Sequence, residues 1–104
     1  MVNIQEFNSP KISCRKDVVE YLRIKAGLKN NVICFLDNKN RVFHHRTISN
    51  SFNLREDIFF QAIRYGSNEI IMYVKKRYDS NEFLENIEKE SQLLHIKVID
   101  TIFY

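Results

Sequence analysis

Two short, unbroken apolar runs constrain this chain more than any other feature. Val32-Ile33-Cys34-Phe35-Leu36 and Ile70-Ile71-Met72-Tyr73-Val74 are five residues each, and both are bounded by polar or charged residues. A run this short, rich in β-branched and aromatic residues, reads as a strand. With no polar alternation, it reads as a strand buried on both faces. Strands of this kind separated by amphipathic helices imply a layered α/β sheet.

The remaining pattern supplies the other elements. Val18, Val19, Leu22 and Ile24 through Ala26 recur at near-helical spacing and are stopped by Gly27, which predicts a first helix over about 14–26. Asp37-Asn38-Lys39-Asn40 has turn chemistry, and the stretch from Arg41 to Ser49 alternates. Val42, His44, Arg46 and Ile48 then fall on one side, with Phe43, His45 and Thr47 on the other, so residues 31–49 read as a β-hairpin. Asn53 followed by Glu56 is a capping-box pattern opening a helix to about Tyr65, with Leu54, Ile58, Phe59, Ala62 and Ile63 as its apolar stripe and Gly66 as its stop. Asp79 with Glu82 repeats that pattern for a third helix, with Phe83, Leu84, Ile87, Ser91 and Leu94 inward and Glu82, Glu85, Glu88 and Glu90 outward. A last strand runs from Ile96 to the end. The expectation is a single layered α/β domain with a mixed four-stranded sheet and three helices, in the order α-β-β-α-β-α-β. Residues 1–13 form a lead-in and 14–104 the domain.

Composition narrows the class. At 104 residues, 44% hydrophobic and 28% charged, the chain has room for one globular domain with an ordinary core. Two cysteines, Cys14 and Cys34, cannot make a disulfide scaffold, no run approaches the roughly 18 apolar residues of a membrane span, and the N-terminus lacks a signal-peptide pattern. These features predict a reduced, cytoplasmic domain with no membrane contact. Charge is uneven along the chain. Residues 1–78 hold 14 Lys and Arg against 7 Asp and Glu, and residues 79–104 hold 2 against 6. A basic body with an acidic last quarter suits a partner with a negative surface, either nucleic acid or an acidic protein groove.

Few residues invite chemistry. His44 and His45 are neighbours on a predicted strand and should point to opposite faces, so they cannot share an ion. Cys14 and Cys34 lack metal-ligand spacing, and Cys34 reads as a small hydrophobe inside a strand. Two glycines cannot build a phosphate loop. No cofactor is expected. Phe35, Phe43, Phe59 and Phe83 fall at core positions. Tyr73 and Tyr78 flank the basic triplet Lys75-Lys76-Arg77, and basic residues interleaved with aromatics have the composition of a single-strand or RNA platform.

Several strings, taken in order and spacing, resemble the RadC branch of the JAB/MPN domain family over roughly residues 14–104. They are Asp17-Val18-Val19-Glu20-Tyr21-Leu22, Phe35-Leu36-Asp37-Asn38-Lys39-Asn40-Arg41-Val42, Leu54-Arg55-Glu56-Asp57-Ile58-Phe59 and Leu94-His95-Ile96-Lys97-Val98-Ile99-Asp100. The resemblance implies a JAB/MPN-like fold. In that family a His-x-His-Pro-Ser-Gly motif, a following serine and aspartate, and a glutamate on the second hairpin strand hold zinc and its water for hydrolysis. Carried onto this chain, the two histidine positions fall at Val74 and Lys76, Pro-Ser-Gly becomes Arg77-Tyr78-Asp79, the glutamate position is Arg46, and the aspartate position lies near Asp79 or Ser80. Cations at two of these positions would repel a metal ion. The resemblance therefore implies the scaffold without its enzyme activity and points to binding. Relatives of this kind are often carried by phages and mobile elements beside anti-restriction genes.

Three readings follow. The first is a non-catalytic inhibitor or adaptor that binds a protein partner, such as a host defence nuclease complex, in the manner of anti-restriction or anti-CRISPR proteins. The second is a nucleic-acid-binding protein. Arg46, Lys75, Lys76, Arg77 and Tyr78 are the binding candidates for both, with Glu82, Glu85 and Glu88 as an acidic interaction face. The third is a hydrolase with an unrecognised site. The apolar last strand is expected near a sheet edge, where it would pair with a second copy or a partner. Arg46 is expected near Lys75–Asp79, either in a salt bridge to Asp79 or open to solvent.

Overall fold

The buried strands and their helices take up the expected order. A computed structural model describes residues 15–26 and 29–104; the lead-in, Cys14 and the stop at Gly27 lie outside the described residues. The elements are α1 (Arg15–Lys25), β1 (Asn31–Leu36), β2 (Val42–Ile48), α2 (residues 54–65), β3 (Glu69–Val74), a single 3-10 turn (Lys76–Tyr78), α3 (Asn81–Leu94) and β4 (Lys97–Phe103). The sheet order is β2-β1-β3-β4. β1 runs antiparallel to both β2 and β3, and β4 joins β3 in parallel through α3, so the sheet is mixed and β4 is one of its two edges.

All six residues of β1 are buried, and alternate side chains go to opposite cores. Val32, Cys34 and Leu36 pack with Val18, Tyr21 and Leu22 of α1, while Ile33 and Phe35 pack with Ile58, Phe59 and Ala62 of α2 and Ile87 of α3. Ile71 and Tyr73 of β3 join the first core, and Ile70, Met72 and Val74 join the second. One helix therefore covers one face and two helices the other, which is why neither run could carry a polar residue.

Several sequence expectations are corrected by the packing. The register of β1 with β2 shifts between Phe35 and Leu36, which pair with His44 and Val42 and leave Phe43 as the extra residue of a bulge. Phe43 is consequently 42% exposed and not in the core. The bulge also breaks the predicted alternation: Val42 packs in the α1 core, whereas Ile48 packs in the opposite one. Ile24, Ile63 and Leu84, predicted to face inward, are exposed, since Val18, Tyr21 and Leu22 of α1, Ile58, Phe59 and Ala62 of α2 and Ile87 of α3 fill the core contacts of their helices.

The helix ends follow local chemistry. Asn53 caps α2, its Oδ1 accepting from the Glu56 N–H at 2.8 Å. The return bond to the Asn53 N–H comes from Asp57 Oδ2 at 2.7 Å, one residue later than the capping-box pattern. The first six residues of α2, Leu54–Phe59, are wound as a π-helix before the α-helix proper begins at Phe60. Gly66 ends it at φ 73°, a left-handed backbone that a side chain would strain. For α3 the cap is Ser80, which accepts from the Phe83 N–H, and Asp79 lies one residue outside.

Candidate binding surface

The site is organised by a residue that no sequence motif singles out. Asn31 opens β1 with only 1% of its surface exposed. Its Oδ1 accepts the Lys75 N–H at 2.9 Å just past the end of β3, and its Nδ2 donates to Asn50 Oδ1 at 3.2 Å and approaches Ser49 O at 3.5 Å just past β2. The exits of β2 and β3 are therefore joined through one buried amide. Tyr78 adds a second tie, its hydroxyl donating to Asn50 O.

The basic triplet rides on this junction. The Lys76 N–H donates to Tyr104 O at 2.7 Å, and the Tyr78 and Asp79 N–H groups close the 3-10 turn onto Lys75 O and Lys76 O. Lys75 is half-buried, while Lys76 and Arg77 are exposed. The Arg77 guanidinium lies 5.2 Å from the centre of the Tyr78 ring, a cation–π contact that holds it over the junction. Below that ring, Phe52 and Phe83 sit 5.0 and 5.8 Å away, and Phe103 is 6.2 Å beyond Phe83. Tyr78 is thus the lid of an aromatic seam.

Tyr73 does not join it. It is buried against α1 and stacks on Tyr104 at 4.4 Å and 5°. Strand alternation sends Tyr73 to one face of the sheet, and Tyr78 sits over the other. The two tyrosines flanking the triplet therefore do not form a common stacking platform, and that expectation is corrected.

Arg46 is exposed on β2 and donates to Gln61 Oε1 at 3.0 Å. Of the two arrangements expected for it, the open one holds, with Gln61 of α2 as its partner in place of Asp79. Glu82, Glu85 and Glu88 are all exposed along α3. Glu90 behaves differently: Arg55 of α2 grips it with two bonds of 2.7 and 2.8 Å, and that hydrogen-bonded pairing lowers the Glu90 pKa. Beside the basic turn, a groove of about 780 Å³ follows β4, lined by residues that include Lys76, Asp79, Leu84 and Ile99. Across it, Arg15 of α1 clamps the Asp100 carboxylate at 2.7 and 2.8 Å.

The histidines separate as expected. His44 lies between Tyr65, 4.3 Å away, and Phe35, 5.7 Å away, on the α2 side. His45 lies on the α1 side, where its Nδ1 is 2.7 Å from the Tyr21 hydroxyl. Burial, with Cys34 nearby, pushes the Tyr21 pKa up to about 12. Tyr21 therefore keeps its proton, and whether its hydroxyl donates to His45 Nδ1 or accepts from it is set by the imidazole tautomer. Burial, then His44, then Lys25 lower the His45 pKa. Cys34 is buried and its thiol is pushed up to about 12, which makes it inert packing. Among the described residues, no three His, Cys, Asp or Glu side chains gather as a metal ion would require.

No family model matches the chain, and no curated protein matches it either.

Two outcomes follow from this geometry. Asn31→Ala leaves the partly buried Lys75 N–H without its acceptor and is expected to lower stability by about 1–2 kcal/mol, read by urea denaturation with an unchanged m-value. The exposed control Lys76→Ala should stay within about 0.5 kcal/mol. The second outcome concerns pH. Because the His45 pKa is lower in the folded state, the unfolded chain binds the proton first. Stability is then full above the unfolded value of about 6.5 and falls as the pH drops below it toward the lowered native value. Thermal melts between pH 7.5 and 5 should show this loss, and His45→Gln should flatten that part of the profile.

Proposed function

We propose that this protein is a non-catalytic binding module that engages a partner of negative surface through the turn Lys75–Tyr78. The observation that carries this reading is the set of cations at the strand junction. Among the described residues, Lys75, Lys76 and Arg77 have no carboxylate within ion-pair distance, although the turn runs straight into an acidic helix. Unpaired cations on a turn held by Asn31, Tyr78 and Tyr104 present a fixed positive rim, and a rim already ordered loses little entropy on binding. The RadC-like strings support the same reading, because they align Arg46, Val74 and Lys76 with positions that hold metal and general base in that family. The partner class we favour is a protein, in the manner of a mobile-element inhibitor or adaptor acting on a host defence nuclease complex. The exposed Glu82, Glu85 and Glu88 offer such a complex a second, phosphate-like face. Direct binding of nucleic acid is the competing reading. It is weakened by the separation of Tyr73 from Tyr78, which leaves Arg77 and Tyr78 as the one cation–aromatic pair at the turn.

A charge-reversed variant, Lys75→Glu with Lys76→Glu and Arg77→Glu, tests the surface. Folding should change little, since two of the three side chains are exposed, while affinity for the partner should fall at least tenfold. Generic DNA or RNA measured across a salt series should bind weakly. A steep linear fall of log K with log salt at sub-micromolar affinity would replace the protein partner with nucleic acid. For the non-catalytic reading, protein purified from zinc-supplemented culture and dialysed is expected to hold well under one zinc per chain. Stoichiometric zinc, or stability that collapses with chelator, would reinstate the hydrolase reading. We also propose β4 as the edge at which a second copy pairs; light scattering that gives only monomer at millimolar concentration would remove that contact.

A further inference from the structure

Among the described residues the sheet has two open edges, β2 and β4, and they differ. β4 is interrupted midway, where its register with β3 shifts around Ile99, and the Arg15–Asp100 clamp crosses it. On β2 the bulge sits next to the hairpin turn, and residues 44–48 stay in unbroken register with β1. Five residues in that register span about 17 Å. On an outer strand every second residue turns its N–H and C=O away from the sheet, so β2 presents donors and acceptors in alternation.

The charge along this edge has one sign. β1 and β2 contain no Asp or Glu. Arg46 stands on the α2 side, where among the described residues its hydrogen-bond partner is the neutral Gln61 amide. His45 stands on the α1 side, with Lys25 close enough to act on it electrostatically. Phe43, pushed out by the bulge, adds an exposed aromatic surface at the end nearest the turn.

We propose that the open edge of β2 takes up an acidic, extended segment of a partner polypeptide as a fifth strand, an inference that rests on the binding-module reading. Two features select a peptide. Alternating donors and acceptors at strand spacing are complemented by another backbone, whereas a phosphate chain, which only accepts, would be set against the outward carbonyls. Arg46 on the α2 face of the edge, and Lys25 of α1 beside the neutral His45 on the other, then favour a strand whose carboxylates also project to either side.

The test uses the full chain, isotope-labelled for amide NMR, and the seven-residue peptide Glu-Glu-Val-Val-Glu-Glu-Val, which puts carboxylates on both faces of an extended strand. The expected result is saturable shifts concentrated at the outward amides of residues 44–48. Arg46→Glu should weaken the binding at least tenfold, and N-methylating the peptide backbone should remove it. A lysine–valine peptide of the same length should bind at least tenfold more weakly. The proposal is overturned if the acidic peptide causes no shifts at millimolar concentration, if the lysine peptide binds equally, or if a single-stranded oligonucleotide displaces the peptide. It is overturned as well if the shifts map to Lys75–Tyr78 and survive Arg46→Glu. That last result would leave the binding-module reading standing. Failure of the binding-module reading shows separately, as an unchanged partner affinity in the charge-reversed turn variant.

Discussion

Everything in this structure depends on one strand having no solvent side. β1 sends Val32, Cys34 and Leu36 into one core and Ile33 and Phe35 into the other, and all six of its residues are buried. Removing a side chain the size of Phe35 from water contributes about 2–3 kcal/mol, but only if something covers each face. That requirement places α1 on one side and α2 with α3 on the other. It also puts β1 and β3 in the centre, leaving β2 and β4 as the edges with unpaired backbone groups among the described residues.

A centre so apolar pushes polar chemistry to the ends of its strands. At one end, the buried Ser67 hydroxyl lies 2.8 Å from both Leu36 O and Glu69 O and ties the hairpin side of β1 to the start of β3. At the other, the Asn31 amide ties the exits of β2 and β3 together. These polar ties hold the strand exits in place, and the cationic turn is built on the second of them. A positive rim anchored in this way differs from a solvated loop of the same composition, because the backbone beneath the charges is hydrogen-bonded to the core on both sides.

The legible part of the fold was the part dictated by burial. A strand covered on both faces appears in the sequence as an unbroken apolar run, and helix stops at residues such as Gly66 appear as glycine. What escaped was set by register and by contacts across long separations. Phe43 looks like any core aromatic, and only the mismatch of Phe35 and Leu36 with β2 turns it outward. Ile24 and Ile63 sit at near-helical apolar spacing yet lie outside both cores and are exposed. Asn31 reads as a turn residue before a strand, and nothing in its neighbours announces that its side chain reaches residues 18 and 44 positions away. Of the site, the cationic positions were visible as a triplet. The pairing of Arg46 with Gln61, and the division of Tyr73 from Tyr78 between two faces, required the sheet to be assembled first.

The binding surface proposed for this fold requires β2 to be an open edge of a sheet covered on both faces. Amide hydrogen exchange, resolved residue by residue in the free monomer, reads this directly. The account predicts the slowest exchange in β1 and β3, and along residues 44–48 an alternation of protected amides bonded to β1 with fast ones turned to solvent. Uniform slow exchange across those five residues would mean that the edge is already paired, and uniform fast exchange would mean that the strand is not formed. Either result would contradict it.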